Sequence, residues 1–297
     1  MWTLPLLLVV QDPAPSAPQQ LPPTPPLFEE LGARGLGGFR TTSGSPEKDW
    51  ILEVNGGGLL LEDLDGDGLL DLVVVDGSTP SRVQAGQAGL PPRLFLGTGD
   101  GTLVPAGEAW AMDPGRWGTG GTVGDLDGDG RPDLVLTEWG RDRVLRNTGE
   151  GFAELEEPGL VGERWGTSAA LLDLDRDGVL DLAVVNYLDF DFDEVSPRIA
   201  GGCVWKGLPV NCGPEGLEPQ HDQLYLGQGD GTFAPAPAAA GFVPRRAAFG
   251  LGIVAGDFDV DGDTDLYVTN DSTPNHLWEA REDEDGRRLV ETGMRRG

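Results

Sequence analysis

Asp125-Leu-Asp127-Gly-Asp129-Gly130-Arg-Pro-Asp133 runs without a break into Leu134-Val-Leu-Thr137, and this stretch decides the fold. It carries carboxylates at positions 1, 3, 5 and 9 of a nonamer and Gly at position 6. The nonamer recurs as Asp63-Leu-Asp65-Gly-Asp67-Gly68-Leu-Leu-Asp71, as Asp173-Leu-Asp175-Arg-Asp177-Gly178-Val-Leu-Asp181, and as Asp257-Phe-Asp259-Val-Asp261-Gly262-Asp263-Thr-Asp265. Hard cations take six to eight oxygens, and Gly at position 6 permits the sharp turn that folds carboxylates around one point. The pattern therefore predicts four Ca2+ loops whose ligands are the Asp residues at positions 1, 3, 5 and 9. The backbone carbonyl of position 7 (Leu69, Arg131, Val179, Asp263) and water complete the shell. Asp263 adds a fifth carboxylate to the fourth loop, whereas Arg176 inside the third is expected to weaken that site.

These are not helix-flanked calcium loops. Such a loop closes with a bidentate Glu at position 12, where this chain has Val74, Leu136, Val184 and Val268. The residues after position 9 are Leu72-Val-Val-Val75, Leu134-Val-Leu-Thr137, Leu182-Ala-Val-Val185 and Leu266-Tyr-Val-Thr269. Short, β-branched, nearly continuous apolar runs suit strands buried on both faces. The bland alternative, polar turns that happen to be rich in Asp and Gly, explains one match better than four in register.

The repeat extends beyond the loop. Eight residues before the first Asp stands an aromatic followed by Gly in three copies, Trp117-Gly118, Trp165-Gly166 and Phe249-Gly250. After each loop strand comes a second alternating strand: Arg93–Leu96, Arg143–Arg146, Gln223–Leu226 and His276–Glu279. A Gly/Asp-rich turn and a further strand follow, as in Thr102-Leu-Val and Thr232-Phe-Ala. The first Asp residues fall at 63, 125, 173 and 257. Four short antiparallel strands repeated at about this spacing describe a β-propeller blade. The chain is predicted to be all-β, a propeller of four-stranded antiparallel blades with at least four calcium-loop blades, partial or truncated. Its 47 Gly and 24 Pro favour turns over helices. The Gly clusters at 56–58 and 118–121 read as turn and close-packing glycines before strands. Trp117 and Trp165 read as packing between blades. Trp110, Trp139, Trp205 and Trp278 remain as candidates to line a glycan or peptide surface.

The chain has 50 acidic and 21 basic residues, a net charge of −29. Nucleic acid is excluded as a partner, because phosphate contacts need Lys and Arg. Residues 1–26 read as a signal-like apolar segment, too short to span a bilayer, followed by a Pro-rich linker. Residues 27–297 carry the blades, with Leu27–Leu31 as a possible strand of a fifth. The expected location is secreted, periplasmic or at the cell surface. Cys203 and Cys212 lie in an insertion at about 186–222, and a disulfide between them is the first reading, two free buried thiols the other. The two histidines, His221 in a polar loop and His276 at a variable strand position, suggest no catalytic centre. No Gly-x-Ser-x-Gly elbow or phosphate-binding Gly loop is present.

The aromatic-Gly pair followed by Gly-Asp-x-Asp-x-Asp-Gly-x-x-Asp-Leu resembles the FG-GAP/VCBS repeats of integrin-α-like β-propellers over about residues 28–297. The stretch Cys212-Gly-Pro, His221-Asp-Gln-Leu-Tyr225, Gly229-Asp-Gly-Thr-Phe233, Gly250-Leu-Gly and Leu266-Tyr-Val-Thr-Asn-Asp-Ser-Thr-Pro-Asn275 is similar to bacterial members of the cartilage acidic protein family. Those often carry an ASPIC/UnbV segment after the propeller, and no such continuation follows Gly297. The resemblance implies a calcium-binding propeller, usually of seven blades, with a role in adhesion. The leading expectation is thus a secreted, non-enzymatic calcium-binding module for a protein or glycan partner, prone to self-association if the propeller is not closed. The alternatives are a secreted hydrolase-like enzyme with its site on inter-blade loops near 186–222, and a structural propeller of a larger assembly.

Overall fold

The computed structural model describes residues 36–293 apart from 37, 196, 198–201, 245 and 285. The signal-like segment, the linker and the strand expected at Leu27–Leu31 lie outside the described residues. Each Asp-rich nonamer joins the first two strands of a four-stranded antiparallel blade. The first blade contains β1 (Leu59–Glu62), β2 (Asp71–Val74), β3 (Arg93–Gly97) and β4 (Leu103–Pro105). The second contains β5 (Gly118–Gly124), β6 (Asp133–Gly140), β7 (Arg143–Asn147) and β8 (Phe152–Glu154). The third begins with β9 (Arg164–Leu172) and β10 (Asp181–Asn186). It then makes an excursion containing the hairpin β11 (Val204–Trp205) and β12 (Leu208–Pro209), and resumes with β13 (Gln223–Gly227) and β14 (Phe233–Pro235). The fourth contains β15 (Gly250–Gly256), β16 (Asp265–Asn270), β17 (His276–Asp283) and β18 (Gly286–Glu291). The only α-helix among the described residues is the five-residue Pro80–Gln84. The fold is all-β, a partial β-propeller.

The continuous apolar run of each second strand has a simple cause, because both of its faces are buried between blades. Val73 and Val75 of the first blade share a core with Leu134 and Leu136 of the second. Val135 faces Leu182 and Val184 of the third, and Ala183 and Val185 face Leu266 and Val268 of the fourth. Residues two and four after the position-9 Asp thus face the next blade, and those one and three after it face the preceding one. Position 2 of the loops joins the same interfaces, with Leu64, Leu126 and Leu174 each in the core shared with the following blade.

The outer faces of the first and fourth blades follow the same rule, and no other described blade covers them. On the first blade Leu59 and Leu61 are 65% and 56% exposed beside Leu72. On the fourth, Val254 and Tyr267 stand side by side and exposed, and Phe258, at loop position 2, packs edge-on against Tyr267.

The innermost strands explain the aromatic-Gly pairs. Trp117, Trp165 and Phe249 converge on one cluster with Ile51 and Leu52 and with Tyr187 and Phe190 of the excursion. Trp165 meets Tyr187 edge-on at 4.9 Å. The glycines at 118–121, expected as turn and close-packing residues, form no turn but lie in β5 itself, and close backbone approach is their reason. A Cβ on Gly120 would lie 2.5 Å from the Thr167 carbonyl oxygen of the next blade, and one on Gly118 would lie 2.5 Å from the Asp76 carbonyl oxygen of the preceding blade. Hydrogen bonds cross the same gap, from Thr167 Oγ1 to the Gly250 carbonyl (2.8 Å) and from Thr119 Oγ1 to that of Gly166.

The four unassigned tryptophans separate by place. Trp278 is buried in the core between the third and fourth blades, so it lines no surface. Trp110 lies against Phe152 and Trp139 against Phe190 and Phe192, both half-buried. Trp205 is 60% exposed on the β11–β12 hairpin, which the Cys203–Cys212 disulfide closes.

Gly120→Ala has no room for its methyl group and should destabilise the fold by about 1–3 kcal/mol. A urea melt whose midpoint did not fall would refute the close packing of the inner strands.

Candidate metal centres

The loop geometry repeats in all four copies. The position-1 carboxylate accepts the N–H groups of positions 5 and 6: Asp63 from Asp67 and Gly68, Asp125 from Asp129 and Gly130, Asp173 from Asp177 and Gly178, Asp257 from Asp261 and Gly262, all at 2.9–3.1 Å. The position-6 glycines adopt φ of 85–90°, as the sharp turn requires. Asp65, Asp127 and Asp175 at position 3 each accept the position-5 N–H at 3.2 Å. The position-5 carboxylates turn to the backbone two residues on, Asp67 to Leu69, Asp129 to Arg131, Asp177 to Val179 and Asp261 to Asp263.

The position-9 carboxylate is buried and ties the loop to the blade. One oxygen accepts the N–H of position 2, the other an N–H of the third strand. Asp71 bonds Leu64 and Gly97, Asp133 bonds Leu126 and Asn147, Asp181 bonds Leu174 and Gly227, and Asp265 bonds Phe258 and Ala280, at 2.8–3.0 Å.

In consequence positions 1, 3 and 9 converge. Asp63, Asp65 and Asp71 offer oxygens within 4.8 Å of one another, as do Asp125, Asp127 and Asp133, Asp173, Asp175 and Asp181, and Asp257, Asp259 and Asp265. The donor set is oxygen alone, which suits a hard cation. Burial, then crowding by the neighbouring carboxylates, holds the Asp133 and Asp181 carboxyls above the usual range. Asp65 is raised in the same sense, by burial first and by Asp71, Asp67 and Asp63 after it. A divalent cation relieves that repulsion, so the residues fit one.

Asp67, Asp129, Asp177 and Asp261 stand outside these groupings, beside them on the same loops. Asp263, expected as a fifth carboxylate of the fourth loop, stands between two arginines. Arg287 Nη2 bonds its Oδ2 at 2.8 Å, and Arg176 of the third loop bonds its Oδ1. Arg176 thus reaches across to the next blade. In the second loop Arg131 pairs with Asp129, and Arg146 lies 3.7 Å from Asp127.

A second repeated set of acceptors, two carboxylates and one amide, was not read from the sequence. At the far end of the second, third and fourth blades, the side chain of the residue before the third strand accepts the N–H of the residue five beyond the position-9 Asp. Asp142 accepts from Glu138 (3.0 Å), Asp222 from Asn186 (2.9 Å) and Asn275 from Asn270 (2.8 Å). Burial pushes the Asp142 and Asp222 carboxyls up to about 7, against the partial relief of Arg164. Their fixed place before Arg143, Gln223 and His276 was the available signal, masked by connections of very different length. His276 is half-buried against Trp278 rather than a surface residue, and burial lowers its pKa.

Antiparallel four-stranded blades, each with an Asp-rich loop between its first two strands, define a repeat protein of the β-propeller class. The FG-GAP-like repeat profile matches residues 63–136, 125–184 and 216–287, and the chain belongs to that family. No curated protein matches it. Among solved structures it is loosely similar to an Agrocybe aegerita lectin described as recognising non-reducing terminal N-acetylglucosamine, with 16% identity and a TM-score of 0.40. The alignment covers 77% of this chain and 50% of the lectin's, so the chain spans about half the length of that structure. No helix of the described residues is long and apolar enough to cross a membrane.

A carboxyl whose pKa is raised by folding stabilises the fold below its unfolded value, and that stabilisation is lost as pH rises through the folded value. Between pH 4 and about 7 chelator-treated protein should therefore lose stability as Asp142 and Asp222 ionise. Denaturant midpoints measured across that window should flatten in an Asp142→Asn/Asp222→Asn variant; an unchanged slope would remove these two groups as its source.

Proposed function

We propose that the chain is a secreted, calcium-binding β-propeller module that recognises a protein or glycan partner. The observation that carries this reading is the recurrence of one Asp grouping, at positions 1, 3 and 9, in four loops of the same geometry. On this reading Asp63, Asp65 and Asp71, with Asp67 joining them, hold one ion. The corresponding residues of the other three loops hold theirs. Bound calcium supplies positive charge where three carboxylates meet, so it binds the folded chain better than the unfolded one and stabilises it.

Residues 1–26 serve as export signal and linker and residues 27–297 as the blades, with the excursion at about 186–222 as the largest departure from the repeat. The disulfide on that excursion fits an oxidising compartment. Within the FG-GAP family, the stretch 203–297 supports kinship with bacterial members of the cartilage acidic protein family. Recognition rather than catalysis is favoured by the places of the histidines. His276 stands in the wall of the fourth blade beside Trp278, and His221 engages Asn186 through its backbone carbonyl.

Calorimetry on chelator-stripped protein should register three to four calcium ions with affinities on the order of 0.1–1 mM. Saturation should raise Tm by about 5 °C or more. Asp127→Ala should remove one ion from the stoichiometry and part of the rise. Absence of binding heat together with an unmoved Tm would reduce the loops to polar turns.

The outer faces of the first and fourth blades support a second element of the reading, self-association. The first blade presents Leu59, Leu61 and Leu72, and the fourth presents Val254, Phe258 and Tyr267, the positions that elsewhere in the chain bury one blade against the next. Sedimentation equilibrium should show association that strengthens with concentration and is abolished by Leu59→Asp/Leu61→Asp. A monomer at every concentration would dismiss it.

A further inference from the structure

Resting on the calcium-binding reading above, we propose that Asp263 of the fourth loop is the counter-ion that holds Arg176 away from the third metal grouping, and so sets the calcium affinity of the neighbouring loop. Arg176 stands at position 4 of the third loop, between Asp175 and Asp177. Asp175 belongs to the grouping with Asp173 and Asp181. Chain connectivity thus places a cation beside carboxylates that fit a second cation, and like charges oppose each other. In the second loop arginines turn to the loop's own acids. Arg131 at position 7 pairs with Asp129, and Arg146 lies 3.7 Å from Asp127. In the third loop the guanidinium is led outward instead, and its Nη2 bonds Asp263 Oδ1 of the fourth loop.

Asp263 is held ready to receive it. It occupies position 7 of its loop, where the other three copies have Leu69, Arg131 and Val179. Its side chain is 9% exposed, and Arg287 of β18, equally buried, bonds its other oxygen at 2.8 Å. Its N–H is taken by Asp261 at 2.9 Å. Both carboxylate oxygens therefore face arginine, and the fourth grouping is formed by Asp257, Asp259 and Asp265 without it. An exposed ion pair is worth little, largely because two long side chains must be ordered. Here the acid is short, buried and fixed from its other side, so only Arg176, 55% exposed, has to be ordered.

The backbone at position 4 makes a clean variant available. Gly66 and Gly128 hold φ of 79° and 74° there, and Arg176 holds 62°. Glycine adopts that conformation freely, so Arg176→Gly removes the guanidinium and keeps the loop.

The test is a calcium titration of the intact, isotope-labelled chain, followed by the amide signals of the position-6 glycines. Each of these N–H groups bonds the position-1 carboxylate of its own loop, so each reports one site. In Asp263→Asn the calcium midpoint at Gly178 should rise about tenfold, while those at Gly68 and Gly130 stay where they were. Arg176→Gly alone should leave the Gly178 midpoint unchanged, and Asp263→Asn/Arg176→Gly should restore it. Asp263→Asn leaves the buried Arg287 with Glu282 at 3.7 Å. If that variant does not fold, Asp263→Asn/Arg287→Met removes the buried charge with its partner and frees Arg176 all the same. A Gly178 midpoint that loss of Asp263 does not move, a rise that Arg176→Gly does not reverse, or a fall in Arg176→Gly alone would each overturn the proposal. Glycine signals that ignore calcium in the unsubstituted chain would remove the metal centres as well. Binding at all four loops with no effect of Asp263 removes only the counter-ion.

Discussion

Every blade of this chain depends on one buried carboxylate. The position-9 Asp receives a backbone N–H on each oxygen, one from its own loop and one from the third strand. Two charge-assisted bonds to a fully enclosed acceptor are strong and directional. They set where the loop sits on the blade before any ion is considered. The position-1 carboxylate, caught by the N–H groups of positions 5 and 6, fixes the turn in the same way. Metal-facing oxygens therefore stand on a frame the backbone has already organised. Burial first, and the crowding of neighbouring carboxylates after it, raise the Asp65, Asp133 and Asp181 carboxyls, and a bound cation would offset both. Folding and ion binding thus act on the same few atoms.

The second dependence is geometric. A second strand with Leu, Val or Ala at nearly every position buries both faces only if a blade stands on each side of it. That is why Leu134-Val-Leu and Leu182-Ala-Val-Val read as continuous rather than alternating. The interface rule extends to loop position 2, where Leu64, Leu126 and Leu174 cover the next blade. Phe258 and Tyr267 keep the apolar character of their positions and turn toward each other where no described blade covers them.

This also explains what could be read in advance. Asp spacing, Gly at position 6 and strand period are local, so the four blades, their strand order and the convergence of the Asp residues at positions 1, 3 and 9 were legible residue by residue. The disulfide was legible because two cysteines in one short excursion have few choices. The central cluster was not, because Trp117, Trp165 and Phe249 meet Tyr187 and Phe190 only after three blades are stacked. The close packing expected of the glycines at 118–121 holds and the turn does not, and their partners could not be named in advance because Asp76 and Thr167 belong to other repeats. Asp142 and Asp222 were hidden by register, as connections of 2 residues after Gly140 and 36 after Asn186 carry them to equivalent places.

Position 4 of the loops shows how the repeats cease to be independent. It takes a left-handed conformation in every copy, with φ of 79° at Gly66 and 74° at Gly128, but also 62° at Arg176 and 63° at Val260. Glycine adopts it freely, and a side chain there costs roughly 1–2 kcal/mol. In the third loop the substituted residue has a use, because its guanidinium reaches Asp263 of the fourth loop, which Arg287 also holds. The left-handed backbone sets the direction in which the side chain leaves the loop. Asp263 is thereby drawn toward arginine and away from the fourth Asp grouping. The first two loops, with Gly at this position, have no such tie to the loop that follows. The third and fourth are joined through side chains that belong to neither metal grouping, so a displacement of one loop acts on the other directly.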